Sequence, residues 1–233
     1  MKIDILAFGA HPDDIELAAS GTLLHHSNIG LKIGAIDLTQ GELGTRGNAT
    51  LRLQEAEKAA KILGLSAREN LGMADGFFEI NENNLLKVVE MIRKYRPEVV
   101  FANAVSDRHP DHGRGAELVS RACFLSGLVK VETNQQPWRP KTFYNYIQDR
   151  GLTPNFVFDI TPYWPKKLES IMAYSSQFYD PKSKEPASPI SSKEFKDFLE
   201  ARAREYGRMI GVEFGEGFTS ERPIGIESVL NLK

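Results

Sequence analysis

Hydrophobic positions fall alternately into short runs and helical stripes. Residues 3–8 (IDILAF) run largely apolar and stop at Gly9, and residues 31–38 (LKIGAIDL) and 98–102 (EVVFA) repeat that character. Strands buried on both faces of a parallel sheet read this way. Helical segments lie between them. Residues 14–28 follow the first strand, with Gly30 as a stop. Residues 50–63 place Leu53, Ala56, Ala60 and Leu63 on one face and close at Gly64, and residues 82–95 carry Leu85, Val88, Val89 and Ile92 before Pro97. A further helix extends to about residue 126. This alternation predicts an α/β fold: a Rossmann-like, mostly parallel sheet flanked by helices.

After about residue 127 the rhythm changes. Residues 141–147 and 155–160 read as strands and 162–173 as a helix. A last helix over 193–211 carries Phe195, Leu199, Tyr206 and Ile210 along one face, and the tail has room for one short strand. Residues 180–192 hold three prolines and four serines, which predicts a mobile loop bordering the substrate cleft. The expected organisation is one domain over 1–233, with 1–126 as core and 127–233 as a C-terminal α+β extension completing that cleft.

Composition narrows the function classes. The net charge of −2 lacks the basic footprint of a nucleic-acid binder. Cys123 is the single cysteine, so disulfides and Cys-rich zinc sites are excluded, and a buried thiol is the expectation. No apolar stretch approaches the ~18 residues that span a bilayer, and the N-terminus does not read as a signal peptide. A cytoplasmic protein with no membrane partner is expected.

Three of the five histidines lie in two short segments, Ala10-His11-Pro12-Asp13-Asp14 and Asp107-Arg108-His109-Pro110-Asp111-His112. Each follows a predicted parallel strand, and ligands of open α/β sheets bind outside the carboxyl ends of such strands. His11, Asp14 and His112 supply the three-ligand His and carboxylate set of a catalytic zinc with one open position. Asp13 is then a candidate base, and His109 with Asp111 a candidate pair in which the carboxylate orients the imidazole. His25 and His26 sit mid-helix, away from either motif, and read as surface or packing residues. The Gly-rich loop through Gly41, Gly44 and Gly47 lacks the Gly-Lys-Ser/Thr of a phosphate loop.

The HPDD and HPDH motifs resemble those of the LmbE-like, or N-acetylglucosaminyl-phosphatidylinositol de-N-acetylase, superfamily. The resemblance extends to DLTQGE (37–42), Arg52, AYSSQF (173–178) and the EGF segment around Gly217. Within it, length and FYNYIQ (143–148) are most similar to the bacillithiol-biosynthesis deacetylases. The resemblance implies a zinc-dependent amidase acting on N-acetylglucosaminyl-malate and yielding acetate, with diacetylchitobiose as an alternative substrate. It implies one Zn2+ on His11, Asp14 and His112, Asp13 as base, and a protonated His109 stabilising the oxyanion with Asp111 behind it. It also implies a substrate contact at Arg52, with Glu42 and Gln177 lying in matching stretches, and a homo-oligomer, trimer or hexamer. A malyl substrate needs a cation, and Arg52, Arg46 and Arg108 lie in or beside the rim loops. Some relatives carry an oxyanion tyrosine where this chain has Phe195. The rival readings are a two-metal phosphoesterase, drawing on Asp37, Asp75 and Asp107, and a non-catalytic metal-binding protein.

Overall fold

The computed structural model describes residues 1–231, so the last two positions of the expected extension lie outside the described residues. Its strands are β1 Ile5–Gly9, β2 Ile33–Thr39, β3 Ala67–Met73, β4 Val99–Ala102, β5 Thr142–Tyr146, β6 Phe156–Asp159 and β7 Gly215–Thr219. Its α-helices are α1 Asp14–Ala18, α2 Ser20–Asn28, α3 Ala49–Leu63, α4 Glu82–Tyr95, α5 Pro110–Leu125, α6 Trp164–Met172 and α7 Lys193–Met209. The strands form one sheet in the order β3-β2-β1-β4-β5-β7-β6. β1 to β5 pair in parallel, while β7 runs antiparallel to both β5 and β6. The expected Rossmann-like α/β architecture is what the chain adopts, and its parallel part continues past residue 126 through β5.

The two-residue period of the strands divides the core. Leu6, Phe8, Ile36 and Leu38 face α4 and α5, where they meet Val88, Ile92, Leu118 and Val119. Ile5, Ala7, Ile33 and Ala35 face the other way and pack with Ile15, Ala18 and Leu23 of α1 and α2. Both faces of the central strands are therefore apolar, which is why they read as continuous runs.

Two elements differ from expectation. β3 is not legible in the sequence because it is a polar edge strand. Its Arg68 turns inward to Asp37 (Nε to Oδ2, 2.9 Å), and its Glu69 pairs with Lys94 (2.8 Å). Charged residues on an edge strand also discourage pairing with foreign strands. The helix expected over 14–28 is broken at Ala19 into α1 and α2. The carboxylate of Glu216, from β7, accepts the N–H groups of Gly21 (2.9 Å) and Thr22 (2.7 Å). A helix N-terminus with its free donors satisfied by a carboxylate is a stable start. The buried ammonium of Lys167 neutralises Glu216 at 2.7 Å.

Strand order reverses about β1, which has β2 on one side and β4 on the other. The loops leaving β1 and β4 therefore diverge over a crevice at the carboxyl end of the sheet, and this switch point is where open α/β sheets bind ligands.

Candidate active site

The passage from β1 into α1 carries His11, Asp13 and Asp14, and the passage from β4 into α5 carries Asp107, His109, Asp111 and His112. All seven lie at the switch point, and a cavity of about 450 Å³ opens onto six of them, Asp111 lying just behind its wall. Asp14 is at the centre. Its Oδ2 stands 3.6 Å from His11 Nδ1, and its Oδ1 stands 3.1 Å from His112 Nε2. Ligand atoms ~2 Å from a tetrahedral zinc lie roughly 3.3 Å apart, so each histidine stands near ligand spacing from the Asp14 carboxylate. The outward nitrogens of both imidazoles meet carboxylates. His11 Nε2 is 2.9 Å from Asp75 Oδ1, and His112 Nδ1 is 2.5 Å from Asp107 Oδ2. A carboxylate on the far nitrogen of a metal-binding histidine fixes its tautomer and strengthens it as a ligand. Other nearby combinations, His11 with His109 and His112 or His11 with Asp75 and Asp111, also cluster tightly. These carboxylates support His11 and His112 alike in the expected set and in the first of these combinations.

The carboxylate of Asp14 is oriented from the far side. Asn103 Nδ2 donates to its Oδ2 and Gln148 Nε2 to its Oδ1, each at 2.9 Å. Asn103 has no place in the sequence reading and Gln148 enters it only as the end of FYNYIQ, without a role; the pairing of Asp75 and Asp107 with the histidines has none either. Asp107 lies beside a motif and could have been found there; Asp75 follows the strand that the polar pattern hid.

Charge coupling here is strong. Burial alone would lower the pKa of His11, but the carboxylates of Asp111, Asp14 and Asp75 outweigh it and hold the imidazole well above its usual value. The same contest, won by Asp14 and Asp107, raises His112 to about 9. Burial also favours a neutral Asp14, yet His112 and His11 hold it well below the usual carboxylate range. A histidine pKa raised by folding contributes stability below the unfolded value and loses it as pH rises through the folded one. The metal-free protein should therefore show a falling Tm between pH 6.5 and about 9. A thermal melt series on chelator-treated protein checks this, and a flat Tm over that window would refute the coupling.

Asp13 adopts φ 119° and ψ −26°, a backbone region that non-glycine residues rarely occupy. Its buried carboxylate accepts from Arg52 Nη2 at 2.9 Å. Burial raises its pKa to about 7 against the lowering effect of Arg52. Arg52 also donates to the carbonyls of Pro12 (2.5 Å) and Gly41 (3.4 Å). Expected as a substrate contact, it lines the cavity with its guanidinium held by Asp13 and the loops on either side.

Other expected roles shift as well. The Asp111 carboxylate does not stand behind His109. It accepts from Gly76 N (2.7 Å), pairs with Arg114 (2.6 Å) and lies 3.4 Å from His11 Nε2. His109 Nδ1 accepts the backbone N–H of Asp111 at 3.3 Å, which leaves Nε2 to carry the proton of a neutral ring. Burial and the neighbouring His11 and His112 lower the His109 pKa, so these surroundings favour a neutral donor over the expected imidazolium. Arg46 is buried away from the cavity against Phe178 O (3.2 Å) and Ser183. Glu42 braces the backbone of Asp75 (2.8 Å). Gln177 reaches the cavity wall while donating to Arg46 O (2.8 Å), and Arg108 lines the cavity paired with Asp149. Phe195 lies on the cavity wall, and no tyrosine lines that cavity among the described residues. Ser188, Pro189 and Ile190, from an irregular segment, border it as expected of loop 180–192. His25 and His26 pack on Phe158, and Cys123 is buried with its thiol pKa raised by burial, both distant from this chemistry.

The Asp107–His112 bond offers a direct check on the metal set. Asp107→Asn should weaken metal binding by about 10–100-fold. Metal competition against a chromophoric chelator measures this, and unchanged affinity would remove Asp107 from the metal's support.

Histidines and carboxylates that could hold a metal ion are thus gathered at the switch point of a mostly parallel sheet. Residues 6–123 match the family model described as PIG-L, GlcNAc-PI de-N-acetylase, and the chain belongs to that family. It is 27% identical over 228 residues to a diacetylchitobiose deacetylase of Thermococcus kodakarensis, covering 91% of this chain and 81% of that protein. It is 29% identical over 196 residues to a probable N-acetyl-alpha-D-glucosaminyl L-malate deacetylase 2 of Bacillus anthracis, covering 75% and 81%. Among solved structures it is similar to the conserved protein TT1542 of Thermus thermophilus, with 33% identity, a TM-score of 0.88 and coverage of 97% and 98%. No helix among the described residues is long and apolar enough to cross a membrane.

Proposed function

We propose that the chain is a metal-dependent deacetylase that hydrolyses the N-acetyl group of an N-acetylglucosamine conjugate. The observation that carries this reading is the pairing of a His-Asp-His set with a separate buried carboxylate, Asp13, on the same cavity. His11, Asp14 and His112 would hold one zinc ion. A zinc ion bound there supplies an acidified water, its pKa lowered to about 7, and polarises the acetyl carbonyl.

The residues of the chain do the rest. Asp13, a buried carboxylate beside the ligand set, takes a proton from the attacking water. Arg52 holds its carboxylate in one orientation. His109 donates from Nε2 to the oxygen that becomes negative at the tetrahedral carbon. One such preorganised donor contributes about 3–4 kcal/mol. Asp13 then returns its proton to the departing amine, and acetate and a free amino sugar result. The non-catalytic rival leaves this placement of Asp13 without a role.

Malate as the conjugate partner is a second reading. It rests on Arg108, whose half-buried partner Asp149 a substrate carboxylate could replace. A homo-oligomer, trimer or hexamer, remains part of the proposal on the resemblance alone. The test is product analysis with N,N'-diacetylchitobiose and the malyl glycoside. Equal amounts of acetate and free amine, abolished by a chelator, are expected; no acetate from either compound would overturn the reading.

A further inference from the structure

The break between α1 and α2 frees a carbonyl that a residue far along the chain collects. In an unbroken helix the N–H of Gly21 would donate to Leu17 O, four residues earlier. Here Glu216 takes that N–H at 2.9 Å. Leu17 O, near the end of the five-residue α1, therefore needs other donors, as any buried carbonyl does. Lys167 Nζ supplies one at 3.1 Å and Arg202 Nη2 a second at 2.8 Å.

The two cations differ in what else they hold. Lys167 Nζ stays on the α1 side, meeting Glu16 O at 2.9 Å and Glu216 at 2.7 Å. Arg202 reaches across. Its Nη1 donates to the carbonyl of Gln148, in the turn after β5. Gln148 is the residue whose Nε2 donates to Asp14 Oδ1 at 2.9 Å, and Leu17 lies one turn beyond Asp14 on α1. One guanidinium thus joins the backbone that carries Asp14 to the backbone that carries the amide orienting it. A planar fork with two donors at a fixed separation suits that task, whereas an ammonium is a single point. The fork is steadied from its own helix: the Arg202 guanidinium carbon stands 5.4 Å from the centre of the Phe198 ring, one turn earlier on α7. No step of the proposed hydrolysis uses Arg202, although it lines the cavity.

We propose that Arg202 is a positioning residue for the metal site: it fixes the spacing between α1 and the turn after β5, and so holds Asp14 in the orientation a metal ion needs. The proposal rests on the reading of Asp14 as a metal ligand. It makes the last helix, α7, part of a site whose expected ligands are His11, Asp14 and His112.

The experiment titrates zinc into chelator-stripped wild type, Arg202→Met, Arg202→Lys, Gln148→Met and the Arg202→Met/Gln148→Met double variant, with a chromophoric chelator as competitor. Circular dichroism follows the fold. Lys167 keeps Leu17 O satisfied in the Arg202 variants, so α1 and α2 should persist, and Arg202→Lys also keeps the charge. Both Arg202 variants should bind zinc about tenfold more weakly, the lower end of the effect of removing a ligand's support. Gln148→Met should weaken binding at least as much. Arg202→Met should then cost less than about threefold more in the double variant, because the bond it spaces is already gone. A role in stability alone would lower Tm and leave zinc affinity untouched. Wild-type zinc affinity in a folded Arg202 variant would overturn the proposal, as would losses that multiply in the double variant. So would a raised KM for N,N'-diacetylchitobiose with unchanged zinc affinity, which would make Arg202 a substrate contact. A wild type that binds no zinc would instead overturn the metal reading beneath it.

Discussion

Replacing Asp13 by asparagine should leave the metal bound and lower kcat by about 10²–10⁴-fold, the usual contribution of a general base. The carboxylate is buried beside the ligand set without belonging to it, and Arg52 anchors it at 2.9 Å. Asparagine keeps an oxygen to accept from Arg52 but cannot take the proton of water at neutral pH. In the unsubstituted enzyme the rate should fall as pH drops through the Asp13 pKa, because protonation removes the base. Without the metal that pKa is about 7, and a neighbouring cation moves it lower. Metal analysis alongside kcat decides the matter. A variant within a few-fold of wild type would remove Asp13 from the mechanism, and a variant that lost its metal would move Asp13 into the ligand set.

His112→Ala should have the larger consequence, loss of metal and activity together. The imidazole is a bridge: Nε2 faces Asp14 at 3.1 Å and Nδ1 meets Asp107 at 2.5 Å. Without it the proposed three-ligand site falls to two, and two buried carboxylates lose their partner. Metal content by mass spectrometry, with circular dichroism to establish that the fold persists, provides the check. A full equivalent of metal at wild-type affinity would show the ligand assignment to be wrong.

The contrast between these residues and the rest of the site shows what a sequence can disclose. His11, Asp13 and Asp14 are neighbours in the chain, as are His109, Asp111 and His112, and each group follows an apolar run that advertises its strand. Local spacing therefore carried both motifs to the same rim. Arg52 is different. It lies 39 residues from Asp13, and an arginine near a helix start looks the same whether it meets a substrate or a neighbouring carboxylate. Asp75 was obscured because β3 has polar residues where the central strands have apolar ones. The break at Ala19 depends on Glu216, a residue 195 positions beyond Gly21. Long-range hydrogen bonding leaves no local pattern, so the supporting partners Asn103, Gln148 and Asp75 emerge only from the folded chain.

One metal ion serving one hydrolytic site is what all of this chemistry requires. The most direct test is a zinc titration of chelator-stripped protein, with acetate release from N,N'-diacetylchitobiose followed at each addition. The rate should rise from background in proportion to added zinc and level off at one equivalent per chain. Acetate release that is independent of zinc, or a break at two equivalents per chain, would contradict it.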